Sequence, residues 1–222
     1  MRIAALIPTL HRPLGLRRVL MSLRDTAPDV VPVVSCDPDD CMAHSIAERL
    51  GAVHVTIQEA RAGCANAWNV ALRAYPEADA YVIASDDCVF TPGWLETALA
   101  ALEQIGGSGL VGFNAKWKTT DYAFFYLMTR DFIIKHHGGV AAVPHYKAWG
   151  VDTEACDRAM RSGKYIKAMD AVVLHDRSNP NDDTYKFGEQ FHEETKRIYL
   201  EREAAGFPDD FSPIITGSRT HD

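Results

Sequence analysis

The sequence of 222 residues lacks an apolar run near the roughly 18 to 20 residues that span a bilayer. The opening stretch, MRIAALIPTLHRP, turns polar too early to be a secretory signal peptide. We therefore expect a cytoplasmic protein without a transmembrane segment. An excess of positive charge is also missing, because the formal net charge is -7. Duplex nucleic acid is not expected as the main ligand, since its phosphates are bound largely by clustered Lys and Arg.

Cysteine is sparse, and no two cysteines form a CxxC pair. The five are odd in number and scattered along the chain: Cys36, Cys41, Cys64, Cys88 and Cys156. This pattern indicates neither a disulfide framework nor a zinc site. We interpret the cysteines as reduced packing residues.

Several common catalytic motifs are also absent. No GxGxxG follows the first predicted strand, and no GxxxxGK[ST] occurs. Their absence removes the usual dinucleotide and P-loop interpretations. GxSxG and HExxH are missing too, so a nucleophilic serine elbow and a zinc protease helix are not indicated.

The sequence does contain a regular alternation of apolar strands and amphipathic helices. Four stretches read as strands, each followed by a helical pattern: RIAALIP, VVPVVSCD, AVHVTIQ and ADAYVIAS. This alternation predicts an α/β fold with a mainly parallel, Rossmann-like sheet flanked by helices. Strands and helices after residue 106 extend the same sheet, so we expect one domain over 1–210. A single C-terminal helix is predicted at about 182–205 and a loose tail at 211–222.

Acidic residues follow two of the predicted strands. Asp37 ends the second strand, and Asp86 with Asp87 ends the fourth. Ligands of parallel α/β sheets bind beyond the carboxyl ends of the strands, so these acids are expected to line a crevice. Adjacent carboxylates are often satisfied by a hard divalent cation with phosphate oxygens. They also occur as helix caps and turn residues, and the pair alone leaves both readings open.

Four stretches, taken together and in order, resemble a family-2 glycosyltransferase with the GT-A nucleotide-sugar fold. They cover about residues 3 to 176: IAALIPTLHRP, RAGCANAWNVALRA, ADAYVIASDDCVFTPGWLE and WGVDTEACDRAMRSGKYIKAMDAVVLH. The third stretch resembles the family's strand, its DxD-type metal motif and the helix after it. The resemblance implies a nucleotide-binding half at about 1–105 and an acceptor half at about 106–180.

The resemblance implies a role for individual residues. Asp87 would bind Mn2+ or Mg2+ at the diphosphate of a UDP-type sugar donor, and His175 would complete the metal sphere. Asp152 matches the family's catalytic base, which takes the proton of the acceptor hydroxyl. Trp149 and Gly150 lie on the acceptor side. The donor side is implied to include Pro8, Thr9, Arg12, Asp37, Arg61, Gly63, Asn69, Ser85 and Asp86.

Two positions depart from the family pattern. Ser85 stands where the first Asp of DxD is usual, which removes one carboxylate from the metal cluster. Val151 stands where a Glu often precedes the base, which leaves Glu154 as a rival to Asp152. Both acids also fit the first turn of a helix, where the helix dipole favours negative charge.

The function predicted from these residues is inverting, metal-dependent transfer of one sugar from a nucleotide-diphosphate donor to an acceptor hydroxyl. A sugar-phosphate nucleotidyltransferase is an alternative, although PTLHRPLGLRR lacks the glycine-rich loop that such an enzyme uses. A catalytically silent module that binds a nucleotide sugar is a third reading, which Ser85 makes conceivable. The acceptor is left open among a lipid-linked sugar, a protein, a metabolite and a modified base.

Overall fold

The computed structural model describes residues 1–117, 120–176 and 183–217. In the first half, strands and helices alternate as the sequence predicts. The elements are β1 (Ile3–Thr9), α1 (Pro13–Thr26), β2 (Val31–Cys36), α2 (Cys41–Arg49), β3 (Val53–Thr56), α3 (Cys64–Ala74), β4 (Ala80–Ile83), β5 (Cys88–Phe90) and α4 (Trp94–Gln104).

The second half adds three strands to the same sheet and four helices around it. Its elements are β6 (Leu110–Asn114), β7 (Tyr126–Thr129), α5 (Arg130–His136), α6 (Val151–Arg161), β8 (Tyr165–His175), α7 (Asp183–Glu189) and α8 (His192–Ala204). The eight strands lie in the order β3-β2-β1-β4-β7-β6-β8-β5.

The sheet is mixed, so the prediction of a mainly parallel sheet is wrong. Strands β3, β2, β1 and β4 are parallel, but β7 is antiparallel to both β4 and β6, and β5 is antiparallel to β8. The reason lies in the connections. A parallel pair needs a long crossover, usually a helix, and no helix lies between β6 and its neighbour β7 in the described residues 115–117 and 120–125.

The sheet is covered on both faces. Along β1, Ala5 and Ile7 pack into one apolar cluster, while Ala4 and Leu6 pack into a second cluster on the opposite face. This is why the strand is a nearly continuous apolar run in the sequence. A strand buried in this way places its carboxyl end, and the polar residues after it, at the rim of the core.

Three details differ from the sequence predictions. The stretch TPGWLE predicts a helix capped by Thr91, but α4 begins after Gly93, and the Thr91 hydroxyl donates to the Val172 carbonyl at 2.8 Å. The single C-terminal helix is instead two helices, α7 and α8. Residues 211–217 are not loose, since the backbone N–H groups of Ile214 and Ile215 both donate to the Gly139 carbonyl. Residue 182 and residues 218–222 of those predictions lie outside the described part.

Among the described residues, no helix has the length and apolar content that crossing a bilayer requires.

Candidate active site

A cavity of about 250 Å3 opens at the carboxyl ends of β1, β2 and β4. It lies where the sequence predicts a crevice. The structure brings together most of the predicted site residues as its lining: Pro8, Thr9, Arg12, Asp37, Arg61, Gly63, Ser85, Asp86, Asp87, Trp149, Asp152 and His175. The predicted residues that do not line this cavity are Asn69, Gly150 and Glu154.

Asp86 is the buried member of the acid pair. The Thr9 hydroxyl donates to its Oδ2 at 2.7 Å, and the Arg12 guanidinium donates to its Oδ1 at 3.1 Å. Burial raises the pKa of Asp86 to about 6, although Arg12 opposes the shift. Both carboxylate oxygens therefore have partners within the chain, which fix the side chain at the cavity wall.

Asp87 faces the cavity more directly. Its Oδ2 accepts from Arg12 at 3.2 Å and from the Tyr185 hydroxyl at 2.9 Å, and it lies 3.4 Å from Nε2 of His175. The Ser85 hydroxyl donates to its Oδ1. Burial opposes ionisation, but hydrogen bonding and charge from His175, with help from Ser85 and Arg12, lower the pKa of Asp87 to about 2. Asp87 is thus an ionised carboxylate at neutral pH.

Asp87 and His175 are the residues of this cluster that suit a divalent cation. Within the described residues, no three His, Cys, Asp or Glu side chains converge as a metal cluster. Asp87 and His175 nevertheless approach each other closely enough to share one ion. Such a pair fits a metal whose other ligands are diphosphate oxygens and water, which is how Mg2+ is commonly bound at nucleotide sites. Ser85 adds no carboxylate but orients Asp87.

The carboxyl end of β2 and the start of α3 form another part of the cavity lining. Asp37 is buried, and its Oδ2 accepts from the backbone N–H of Arg61 at 2.8 Å. Gly63 precedes α3 with φ of 95°, and a Cβ there would collide with the Lys147 backbone. Only glycine therefore allows the N-terminus of α3 to approach the segment that carries Lys147 and Trp149.

Asn69 has a structural position beside this part of the cavity. Its side chain is buried on α3, where Oδ1 accepts from the backbone N–H groups of Ala141 and Ala142, and Nδ2 donates to the Ala142 carbonyl at 2.7 Å. These bonds fasten α3 to residues 141–142. Asn69 is not among the lining residues of this cavity.

A second cavity, of about 410 Å3, adjoins the first. Asp152 lines both cavities, as do Trp149 and His175. Asp152 lies in the first turn of α6, after Gly150, whose φ of 83° starts the helix where a side chain would strike Thr195 and Tyr146. Burial raises the pKa of Asp152, so this carboxylate binds a proton more readily than an exposed Asp.

Glu154 lies away from both cavities and is fully buried. It accepts hydrogen bonds from Tyr146 at 2.7 Å, from Arg158 at 2.8 Å and from Arg202 at 2.9 and 3.1 Å. Burial alone would favour the protonated form, but these donors lower the pKa of Glu154. The arrangement favours a structural role for Glu154 and leaves Asp152 as the acid with access to a ligand.

Several lining residues were not found from the sequence. The helical spacing of Trp68 predicts a core residue, yet it lines the first cavity and donates from Nε1 to the Ala84 carbonyl at 2.8 Å. Tyr185 lies in the predicted C-terminal helix and also lines this cavity. Trp117 and Lys196, which line the second cavity, carried no motif.

Comparison with protein families gives one match over most of the chain. A family model described as "Glycosyltransferase like family 2" matches residues 1–182. A search of curated proteins finds no match.

Solved structures of glycosyltransferases share the fold. The mannosyltransferase PcManGT from Pyrobaculum calidifontis, in complex with GDP-Man and Mn2+, superposes with a TM-score of 0.73 at 16% identity, over 90% of this chain and 64% of that one. Glucosyl-3-phosphoglycerate synthase from Mycobacterium tuberculosis, with Mn2+, UDP and glucosyl-3-phosphoglycerate, gives 0.62 at 16% identity, over 94% and 81%. TarS from S. aureus gives 0.65 at 14% identity, over 96% and 44%. The chain thus spans less than two thirds of the first and third of these proteins.

Proposed function

The chain belongs to glycosyltransferase-like family 2, and on that premise we propose that it catalyses inverting, metal-dependent transfer of one sugar from a nucleotide-diphosphate donor to an acceptor hydroxyl. The observation that carries the proposal is the position of Asp152, which lines both adjoining cavities. A base at such a junction can reach a hydroxyl in one cavity while the sugar donor occupies the other.

The donor is assigned to the first cavity. Its nucleotide lies toward Asp37, Arg61 and the loop after β1, and its diphosphate lies toward Asp87 and Arg12. Asp37 is oriented by the Arg61 backbone N–H and would accept a hydrogen bond from the ribose or base. We propose a UDP-type donor, in keeping with the resemblance of these stretches to family-2 enzymes.

Asp87 and His175 would hold Mn2+ or Mg2+. When bound, the ion acts as a Lewis acid that neutralises the leaving diphosphate. Arg12 brings a further positive charge to the same end of the cavity, since its guanidinium contacts both Asp86 and Asp87. Ser85 keeps the Asp87 carboxylate oriented through its hydroxyl.

Asp152 is proposed as the general base. It removes the proton of the acceptor hydroxyl as that oxygen bonds to the anomeric carbon and the bond to the diphosphate oxygen breaks. Attack from the face opposite the leaving group inverts the anomeric centre and needs no covalent intermediate. A positioned base contributes typically about 10² to 10⁴ in rate, and the raised pKa of Asp152 improves it as a proton acceptor.

The other two readings find less support. A nucleotidyltransferase would need a phosphate-binding glycine loop after β1, where the chain instead places Leu10, His11 and Arg12. A silent binding module would not need a carboxylate at the junction of two cavities.

The experiment measures thermal unfolding and sugar release with UDP-glucose, UDP-N-acetylglucosamine and GDP-mannose, each with Mn2+. One donor of the UDP type is expected to raise the melting temperature and to be hydrolysed slowly. Asp87→Ala should lose the stabilisation. Asp152→Asn should keep it while turnover falls at least 100-fold. If no donor stabilises the chain, or if Asp87→Ala behaves like the parent, the proposal fails.

A further inference from the structure

One face of α8 lines the second cavity. The residues that face it are His192, Thr195, Lys196 and Tyr199, which follow the helical spacing i, i+3, i+4 and i+7. This spacing puts Glu193, Glu194 and Arg197 on other faces of the helix. The basic side chains of this part of α8 that line the cavity are therefore Lys196 and His192.

Aromatic rings form the walls of the same cavity. Trp117, Phe124 and Trp149 line it together with Tyr185 and Tyr199. Trp117 is 36% exposed, although it packs at 5.0 Å against the ring of Phe124. Flat apolar surfaces with a few polar groups among them are typical of small-molecule sites. A volume of about 410 Å3 suits a ligand the size of a monosaccharide.

The second cavity has an acidic and a basic side chain on different helices. Asp152 is the carboxylate that lines it, at the border with the first cavity, while Lys196 lies on α8. Among the described residues, Lys196 has no ion-pair partner, whereas its neighbour Arg197 pairs with Glu201 at 2.7 Å. Lys196 beside an apolar wall is a local attraction for an anion, and it acts against the overall net charge of -7.

We propose that the acceptor is a hydroxylated ring that carries a negatively charged group, phosphate or carboxylate. The ring lies between the aromatic walls with a hydroxyl toward Asp152, and the anionic group lies toward Lys196 and His192. This assignment of the acceptor rests on the proposed glycosyltransferase function, which requires an acceptor hydroxyl at Asp152.

The test measures ligand binding through tryptophan fluorescence, because Trp117 and Trp149 line the cavity. The probes are glucose, glucose 6-phosphate, glucuronate and inorganic phosphate. Both anionic sugars, or one of them, should bind at least five-fold more tightly than glucose and than phosphate alone. Raising the salt concentration should reduce this preference, because exposed charges are screened. If glucose 6-phosphate binds more tightly than glucuronate, the anionic group is a phosphate. If glucuronate binds more tightly, it is a carboxylate.

Two variants that each remove one positive charge from α8 distinguish an effect of the cavity from an effect of surface charge in general. Lys196→Met should abolish the preference for the anionic sugar. Arg197→Met, on another face of α8, should keep it. The inference is overturned if neutral and anionic sugars bind equally, if none of the probes binds, or if both variants behave alike.

The same samples are tested with UDP and Mn2+. If the nucleotide stabilises the chain but the anionic preference is missing, the acceptor assignment fails while the proposed function stands. If the anionic preference is present but no nucleotide binds, the proposed function fails while the anion site stands.

Discussion

The guanidinium carbon of Arg12 lies 4.5 Å from the centre of the Tyr185 ring. Arg12 follows β1 and contacts both carboxylates of the acid pair, whereas Tyr185 belongs to α7. This contact therefore joins the acids at the end of β4 to a helix much later in the chain. A second bond, from the Thr184 hydroxyl to the Leu10 carbonyl at 2.9 Å, fastens α7 to the same loop.

Replacement of Tyr185 tests whether its ring shapes the donor cavity. Tyr185→Ala removes the cation–π contact with Arg12, worth about 0.5 to 2 kcal/mol, and opens one wall. We expect UDP with Mn2+ to bind about ten-fold more weakly, as measured by calorimetry. A loss of 1.4 kcal/mol corresponds to a factor of ten in affinity. Tyr185→Phe keeps the ring, so its affinity for UDP with Mn2+ should stay within about three-fold of the parent's. Equal losses in both variants would assign the effect to the hydroxyl.

Restoring a carboxylate at residue 85 tests the metal assignment. Ser85→Asp places a like charge beside Asp87, so without metal the melting temperature should fall by about 2 to 4 °C, equivalent to about 1 kcal/mol. With Mn2+ the loss should be recovered, because a hard cation prefers more carboxylate ligands. Ser85→Asn serves as the uncharged control and should gain less from Mn2+. If Mn2+ raises the melting temperature of Ser85→Asp by no more than that of Ser85→Asn, the result argues against metal at Asp87.

The first half of the fold could be predicted because its signals are local. The buried strands end in Asp37 and Asp86, and the carboxyl ends of parallel strands meet at one edge, so the position of the cavity followed from the sequence. The direction of β7 could not be predicted, since an apolar run such as Tyr126–Thr129 is the same pattern in either direction. Strand direction here depends on connections whose path is set by tertiary packing.

The second cavity was also beyond the sequence. Lys196 and Tyr199 line the same cavity as Asp152 because α8 bonds to α6, for example through the Tyr199 hydroxyl to Asp157 at 2.6 Å. The break between α7 and α8 at Gln190 and Phe191 has no proline to mark it. Glu154 illustrates the same limit. Its place in the first turn of a helix made it a rival base, and only its buried partners in distant parts of the chain favour a different role.

Neutralising Glu154 distinguishes support from catalysis. Glu154→Gln leaves the side chains of Arg158 and Arg202, each about 7% exposed, without their buried counter-charge. Breaking a buried ion pair in this way costs about 3 to 5 kcal/mol, measured by urea unfolding. Glu203→Gln removes an exposed partner of Arg161 and should cost less than about 1 kcal/mol. If Glu154→Gln is stable but inactive, the base is Glu154 and the assignment to Asp152 is wrong.

His137 gives the fold a dependence on pH that is separate from the site. The side chain is fully buried, with Nδ1 2.8 Å from the Val140 carbonyl. Among the described residues, its Nε2 has no hydrogen-bond partner. Burial, followed by the charge of Arg158, lowers the pKa of His137 from 6.5 to about 4, while Glu154 and Asp209 oppose the shift. The folded chain therefore keeps His137 neutral at pH values where the unfolded chain protonates it.

The stability that His137 contributes is present above pH 6.5 and is lost as the pH falls toward 4, because only the unfolded state takes up the proton in this window. Between pH 7 and pH 5 the loss amounts to about 2 kcal/mol, since one pKa unit corresponds to 1.36 kcal/mol. His137→Gln cannot bind that proton, so its free energy of unfolding should fall by about 2 kcal/mol less over the same range. Urea unfolding at both pH values measures this difference. Comparing the change in unfolding free energy between the two pH values cancels any pH-independent destabilisation by the substitution itself. Parallel pH profiles for the two proteins would mean that folded and unfolded chains take up the His137 proton equally, and the lowered pKa of His137 would then be wrong.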